Sequence, residues 1–161
     1  MMVFNLKNVK KLIVCIAIPL LAGFLGSLLG GRPEIYSSIN VPNFAPPSIL
    51  FPVVWTILYT LMGISCYLID SAKKNGNSSI IEEALKVYYI QLLVNSLWSL
   101  IFFRFQLFFF AWIWIIILIL LVAYMIFLFY KIDKRAALLQ IPYIIWLIFA
   151  SILNFAIFSL N

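Results

Sequence analysis

The chain has 161 residues, 66% of them hydrophobic and only 10% charged, with a mean hydropathy of +1.14. A soluble domain carries about 45–50% apolar and about 25% charged residues, so this composition excludes one and makes the bilayer the solvent for much of the chain. The net charge of +6 does not point to nucleic acid. The basic residues sit in short clusters between apolar runs, where they meet anionic headgroups and set topology.

Five apolar stretches follow in order, at about 12–31, 49–69, 84–103, 107–130 and 136–159. Each is near the ~20 residues that cross a hydrocarbon core as a helix. The expectation is an all-α integral membrane protein, a five-transmembrane-helix bundle forming a single domain over residues 1–161. In the first stretch Ala22, Gly26 and Gly30 recur every fourth residue. That small-residue face suits close packing, either inside the bundle or in a dimer. Pro19 kinks this helix.

Residues 32–48 hold Pro33, Pro42, Pro46 and Pro47, too many for a helix. With Tyr36 and Phe44 the segment reads as a lid over whatever lies beneath it. Pro52 falls in the first turn of the second helix, where proline is tolerated. Residues 70–83 read as a polar, turn-rich linker, residues 104–106 as a short reversal and residues 131–135 as a charged turn. Nine of the eleven basic residues then share one side, with only Arg32 and Arg104 on the other. The positive-inside rule places the N-terminus in the cytoplasm and the C-terminus and the proline-rich loop outside. The expected location is the cell membrane.

Asp70, Glu82, Glu83, Asp133 and Glu34 all lie at helix ends or in loops. Ion-coupled transporters keep an ionisable residue at membrane depth, so coupled pumping is disfavoured. There is no histidine, which excludes His-ligated haem, a His-containing zinc site and a His general base. Nor are there paired carboxylates for hydrolysis. Cys15 and Cys66 lie in apolar runs and read as small packing residues. No catalytic set, metal site or cofactor is expected.

Neutral polar groups and aromatics remain inside the spans. Gln91, Asn95 and Trp98 stand at i, i+4 and i+7; Trp55 and Tyr59 at i, i+4; Trp146, Ala150 and Leu153 repeat the pattern with Asn154 beside them. Two readings stay open for the amides. They are interhelical hydrogen-bonding groups, or they are the fixed polar points of an aromatic-lined small-molecule cavity. Trp112 and Trp114, near the start of the fourth helix, read as an interfacial aromatic belt.

The stretch VPNFAPPSILFPVVWTILYTLMGI at 41–64 resembles the first loop and second helix of the TspO/MBR family, the tryptophan-rich sensory and translocator proteins. The resemblance continues in QLLVNSLWSLIFF at 91–103, PYIIWLIFASILN at 142–154 and GFLGS at 23–27. It implies a five-helix bundle, often dimeric, that binds porphyrins such as protoporphyrin IX and other flat hydrophobic ligands. By matching position it implies a pocket of Trp55, Tyr59, Asn95, Trp146, Ala150, Leu153 and Ser27. Trp55 and Trp146 match two tryptophans implicated in light-dependent porphyrin breakdown, and Pro46 and Pro47 match the proline pair of the lid loop. Three activities are consistent with the resemblance: tetrapyrrole binding or sensing, facilitative carriage without ion coupling, and photo-oxidative degradation. Residues 153–161 lack the tyrosine and basic residue of the family's sterol-recognition pattern.

Overall fold

A computed structural model describes residues 6–31, 34–74 and 78–161; Arg32 and Pro33 of the first loop lie outside them. The elements are α1 (Leu6–Gly30), α2 (Ile35–Ser38), α3 (Leu50–Ser71), α4 (Ser78–Ser99), α5 (Phe108–Ile132), α6 (Lys134–Leu138) and α7 (Ile141–Leu160). A 3₁₀ turn at Ala72–Lys74 follows α3, and a π-helical turn at Leu100–Arg104 ends α4. Among the described residues, five segments are long and apolar enough to cross a membrane: Asn8–Gly30, Leu50–Ser71, Ser78–Arg104, Phe108–Ile132 and Lys134–Leu160. Their outer faces carry exposed Leu, Ile and Phe such as Leu93, Leu120 and Ile145. In lipid that surface is the favourable one. The protein is an all-α, multi-pass membrane bundle.

Helix ends depart from the hydropathy pattern for identifiable reasons. Hydropathy marks the hydrocarbon core, whereas a helix can project beyond it. Thus α4 begins at Ser78, inside the stretch that reads as a polar linker, and carries Glu82 and Glu83 in helical conformation. In the fifth span the helix breaks at Leu139–Gln140. Pro142, in the first turn of α7, has no N–H to give the carbonyl four residues earlier, and its ring crowds that carbonyl. The charged turn is tighter than expected: Asp133 alone separates α5 from α6. Its side chain caps α6 by accepting from Arg135 N at 2.9 Å. The proline-rich loop contains one helical turn, α2, placed before its cluster of prolines.

Close backbone approach organises α1. The carbonyl oxygen of Cys15 stands 2.7 Å from the point a Cβ at Gly63 would occupy, and Ile16 Cα stands closer still. No other residue fits there. On the next face, the Ser96 carbonyl oxygen stands 2.9 Å from where a Gly26 Cβ would lie, and the Ser99 carbonyl oxygen 3.1 Å from that of Gly30. Ser96 Oγ donates to the Ala22 carbonyl at 3.0 Å. The Ala22/Gly26/Gly30 face is therefore spent inside the bundle, against α4. Trp114 also turns inward: its indole N–H donates to the Val94 carbonyl at 2.7 Å. An indole donor at this depth needs an acceptor, and a neighbouring helix supplies it. Trp112 packs on Phe155 at 5.0 Å between centroids.

At the end that carries the basic clusters, Lys11 and Lys73 both reach Asp70 at 2.7 Å. The carboxylate raises the Lys73 ammonium above its ordinary pKa. Ser65 Oγ donates to the Ala136 carbonyl at 2.7 Å, which ties α3 to α6 in the buried core. Cys15 and Cys66 are free thiols, both buried.

Candidate functional site

Toward the first-loop end, aromatic rings rather than backbones join α3 to α7. Phe51 and Trp55 lie one turn apart on α3, and Tyr143 and Trp146 one turn apart on α7. Phe51 meets Trp146 edge-on at 6.0 Å, and Trp55 meets Tyr143 at 6.1 Å. Trp55 stacks on Tyr59 at 5.3 Å with planes 28° apart. The Tyr59 ring in turn covers Gly23 of α1, so closely that any side chain there would displace it. Both tryptophans are half-buried against the main core.

Beneath these rings runs a directional chain of hydrogen bonds across three helices. Tyr59 Oη donates to Asn95 Oδ1 at 3.0 Å, Asn95 Nδ2 donates to Tyr143 Oη at 2.7 Å, and Tyr143 Oη donates to Gln91 Oε1 at 2.9 Å. All four side chains are buried. Interhelical bonds of this kind contribute about 0.6 kcal/mol each, up to about 1.7. Asn95 keeps one amide hydrogen in reserve, since its Nδ2 gives only one of two to Tyr143. The arrangement therefore offers flat π-faces and amide N–H groups, and no acid–base or nucleophilic pair.

The loop closes over the wedge. Tyr36 stacks edge-on against Phe51 at 5.2 Å and donates its hydroxyl to the Pro46 carbonyl at 3.0 Å. Partial burial raises the Tyr36 hydroxyl's pKa. The loop is also pinned to the end of α7: Asn40 N donates to Asn161 Oδ1 at 3.0 Å, and Asn161 Nδ2 returns a bond to the Asn40 carbonyl at 2.8 Å. Phe44 and Pro47 are exposed on the loop.

The sequence-derived residues thus fall into four places. Trp55, Tyr59, Gln91, Asn95 and Trp146 converge on the wedge and its polar chain. Trp98 and Leu153 belong to a second apolar cluster around Phe102, Ala111 and Ile157, directly beneath Tyr36 and Ala45 of the loop. Trp98 stacks on Phe102 at 4.9 Å. Asn154 turns back on its own helix, donating to the Ala150 carbonyl at 2.9 Å. Ser27 is exposed on α1 and donates to the Phe24 carbonyl at 2.7 Å. Two residues of the wedge escaped the sequence reading, Phe51 and Tyr143. Both were visible by spacing, Phe51 four before Trp55 and Tyr143 three before Trp146.

Similarity to known proteins covers these same elements. The family model described as TspO/MBR family matches residues 15–160, from α1 to the last turn of α7. The Tryptophan-rich protein TspO of Chlorobaculum tepidum is 35% identical over 159 residues, 96% of this chain and 98% of that one. The protein of the same name from Archaeoglobus fulgidus is 39% identical over 158 residues, covering 96% and 99%. The Translocator protein of Sus scrofa is 32% identical over 149 residues, covering 89% and 86%. Relatives that align over nearly their whole length leave no span unmatched, and the chain belongs to the TspO/MBR family.

Proposed function

We propose that the chain is a membrane-embedded binding or sensory protein for porphyrin-like tetrapyrroles and other flat hydrophobic ligands, taken between α3 and α7 beneath the first loop. The supporting observation is the aromatic seam. Two half-buried indoles, Trp55 and Trp146, stand on facing helices with phenyl rings between them and amide groups below. A porphyrin is a wide π-system, and offset stacking on an indole adds about 0.5–1.5 kcal/mol beyond area burial. The amide of Asn95 suits a ligand carbonyl or carboxylate. A ligand entering here must part Phe51 from Trp146 and lift Tyr36.

The same two indoles support photo-oxidative breakdown of a bound porphyrin as a second activity. Facilitative carriage is the alternative. It is favoured by a seam made of movable side chains, with the carboxylates of the described residues near helix ends. The location proposed is the cell membrane, N-terminus in the cytoplasm and C-terminus outside, because the basic residues gather at one end. A homodimer of this chain would use a face other than Ala22/Gly26/Gly30, which α4 already covers.

Protoporphyrin IX titrated against the purified protein in nanodiscs tests the reading. Trp55→Phe weakens binding by about tenfold, since a smaller ring remains. The Trp55→Phe/Trp146→Phe double variant loses illuminated absorbance decay of the bound porphyrin. A folded double variant with unchanged affinity and unchanged decay would sink the assignment. Proteoliposome flux of the same ligand separates carriage from binding. Orientation is checked with Ser38→Cys and Lys134→Cys in a background lacking Cys15 and Cys66: Ser38→Cys labels from outside, Lys134→Cys only after permeabilisation.

A further inference from the structure

The hydrogen-bond chain stops short of its own geometry. Gln91 accepts from Tyr143 through Oε1, but its Nε2 has no protein partner. One turn earlier on α4, Tyr88 Oη has none either. At the start of α7, Gln140 has none on either Nε2 or Oε1. Tyr88, Gln91 and Gln140 are all 0% exposed. Leaving four such atoms unmet in an interior surrounded by lipid is far costlier than at a surface.

Their register sets these residues at neighbouring levels of α4 and α7. The Tyr143–Gln91 bond of 2.9 Å sets α7 and α4 at one level. Both helices run away from the basic end, so stepping back three residues on each leads to Gln140 and Tyr88. Gln140 faces inward because Pro142 breaks the helix there and Gln140 forms the first corner of α7, its carbonyl accepting from Ile144 N at 3.1 Å.

We propose that Tyr88, Gln91 and Gln140 frame a binding site for water, one turn below the aromatic seam on the side of the basic end. The chemistry selects water. The glutamine amides bring donors and an acceptor, and the tyrosine hydroxyl brings either, which is the mixed set of partners a buried water needs. No charged side chain stands among them to hold an ion, and the polar lining repels an apolar ligand. Water that accepts from Gln91 Nε2 holds that amide with Oε1 on Tyr143. Tyr143 is then held as a donor to Gln91 and an acceptor from Asn95. The water site thereby sets the direction of the whole chain and aims the spare hydrogen of Asn95. Gln91 and Gln140 act here as positioning residues.

Water-edited solid-state NMR of the full chain in lipid bilayers, with ¹⁵N on the glutamine side chains, tests this. Gln106, which is exposed, is the positive control. Gln140 is identified by its missing signal in Gln140→Leu. Water magnetisation reaching the Gln140 and Gln91 amides at the mixing time that serves Gln106 is the expected result. Silence at both amides overturns the proposal. The melting temperature of Gln140→Leu in the same bilayers is an independent check. A hydrated site loses a bridging partner, and the temperature falls by about 2–4 °C. A dry core loses two unmet polar atoms, so an unchanged or raised temperature also overturns it.

Discussion

Two seams of the bundle are built on opposite principles. Along α1, glycine and serine bring backbones together at Gly63, Gly26 and Gly30. Between α3 and α7, rings up to 6.1 Å apart at their centroids fill the space instead. Helices in lipid gain little from burying apolar surface, since the tails are as apolar as leucine. The first seam therefore draws on close dispersion contact and cannot open without losing it. Under the proposed function the second would trade stacking among its own rings for stacking on a ligand, at small net cost. Stability is thus assigned to the first seam and, under that proposal, binding to the second.

The comparison breaks if large substitutions act alike in both seams. The largest expected effect is Gly63→Leu, which drives a side chain into the α1 backbone. A loss of at least ~3 kcal/mol is expected, beyond ordinary overpacking because backbone cannot rotate away. The check is yield of monodisperse protein and its melting temperature, and a folded variant melting like the parent contradicts the account of α1. Next is Tyr143→Phe, which removes two hydrogen bonds at once and should cost ~1–2 kcal/mol. The fold should persist with weaker binding of carbonyl-bearing ligands. If stability falls and affinity does not, the polar chain belongs to the structural seam rather than the binding one.

The smallest effect sharpens the basic end. Arg135 holds the Asp133 carboxyl below its usual range, first through the side-chain hydrogen bonds at 2.8 and 3.1 Å. A carboxyl lowered on folding contributes stability that is fully present above its unfolded value, about 3.9, and is lost as pH falls through the folded value. Asp133→Asn should therefore lower the melting temperature slightly at pH 7, where that contribution is fully present, change little at a pH below the folded value, and so flatten the pH dependence of melting below about pH 4. An equal loss at both pH values would make the residue a helix cap alone.

Much of the site was legible because helical spacing is local. Trp55 and Tyr59, or Gln91 and Asn95, must share a helix face whatever surrounds them. What spacing could not tell was partnership. Asn154 sits beside Trp146's face as Asn95 sits on Gln91's, yet one bonds its own backbone and the other bridges three helices. Trp114 looked interfacial by depth and proved interhelical, because rotation about the helix axis is set by neighbours. Helix ends were blurred for the same reason: hydropathy senses the bilayer, while caps and Pro142 decide where backbone bonds stop.

Sequence alone determined the solvent, the number of spans and the family. Apolar runs of membrane length admit no other backbone than helix, since every N–H and C=O in lipid must be met within its own segment. Tertiary structure alone decided which small-residue face is spent inside the bundle, which of the amides pair, and that Gln140 is buried with two unmet groups. Those outcomes depend on the azimuth and register of one helix against another. They are set by the sum of many weak contacts across the bundle, which no single stretch of the chain contains.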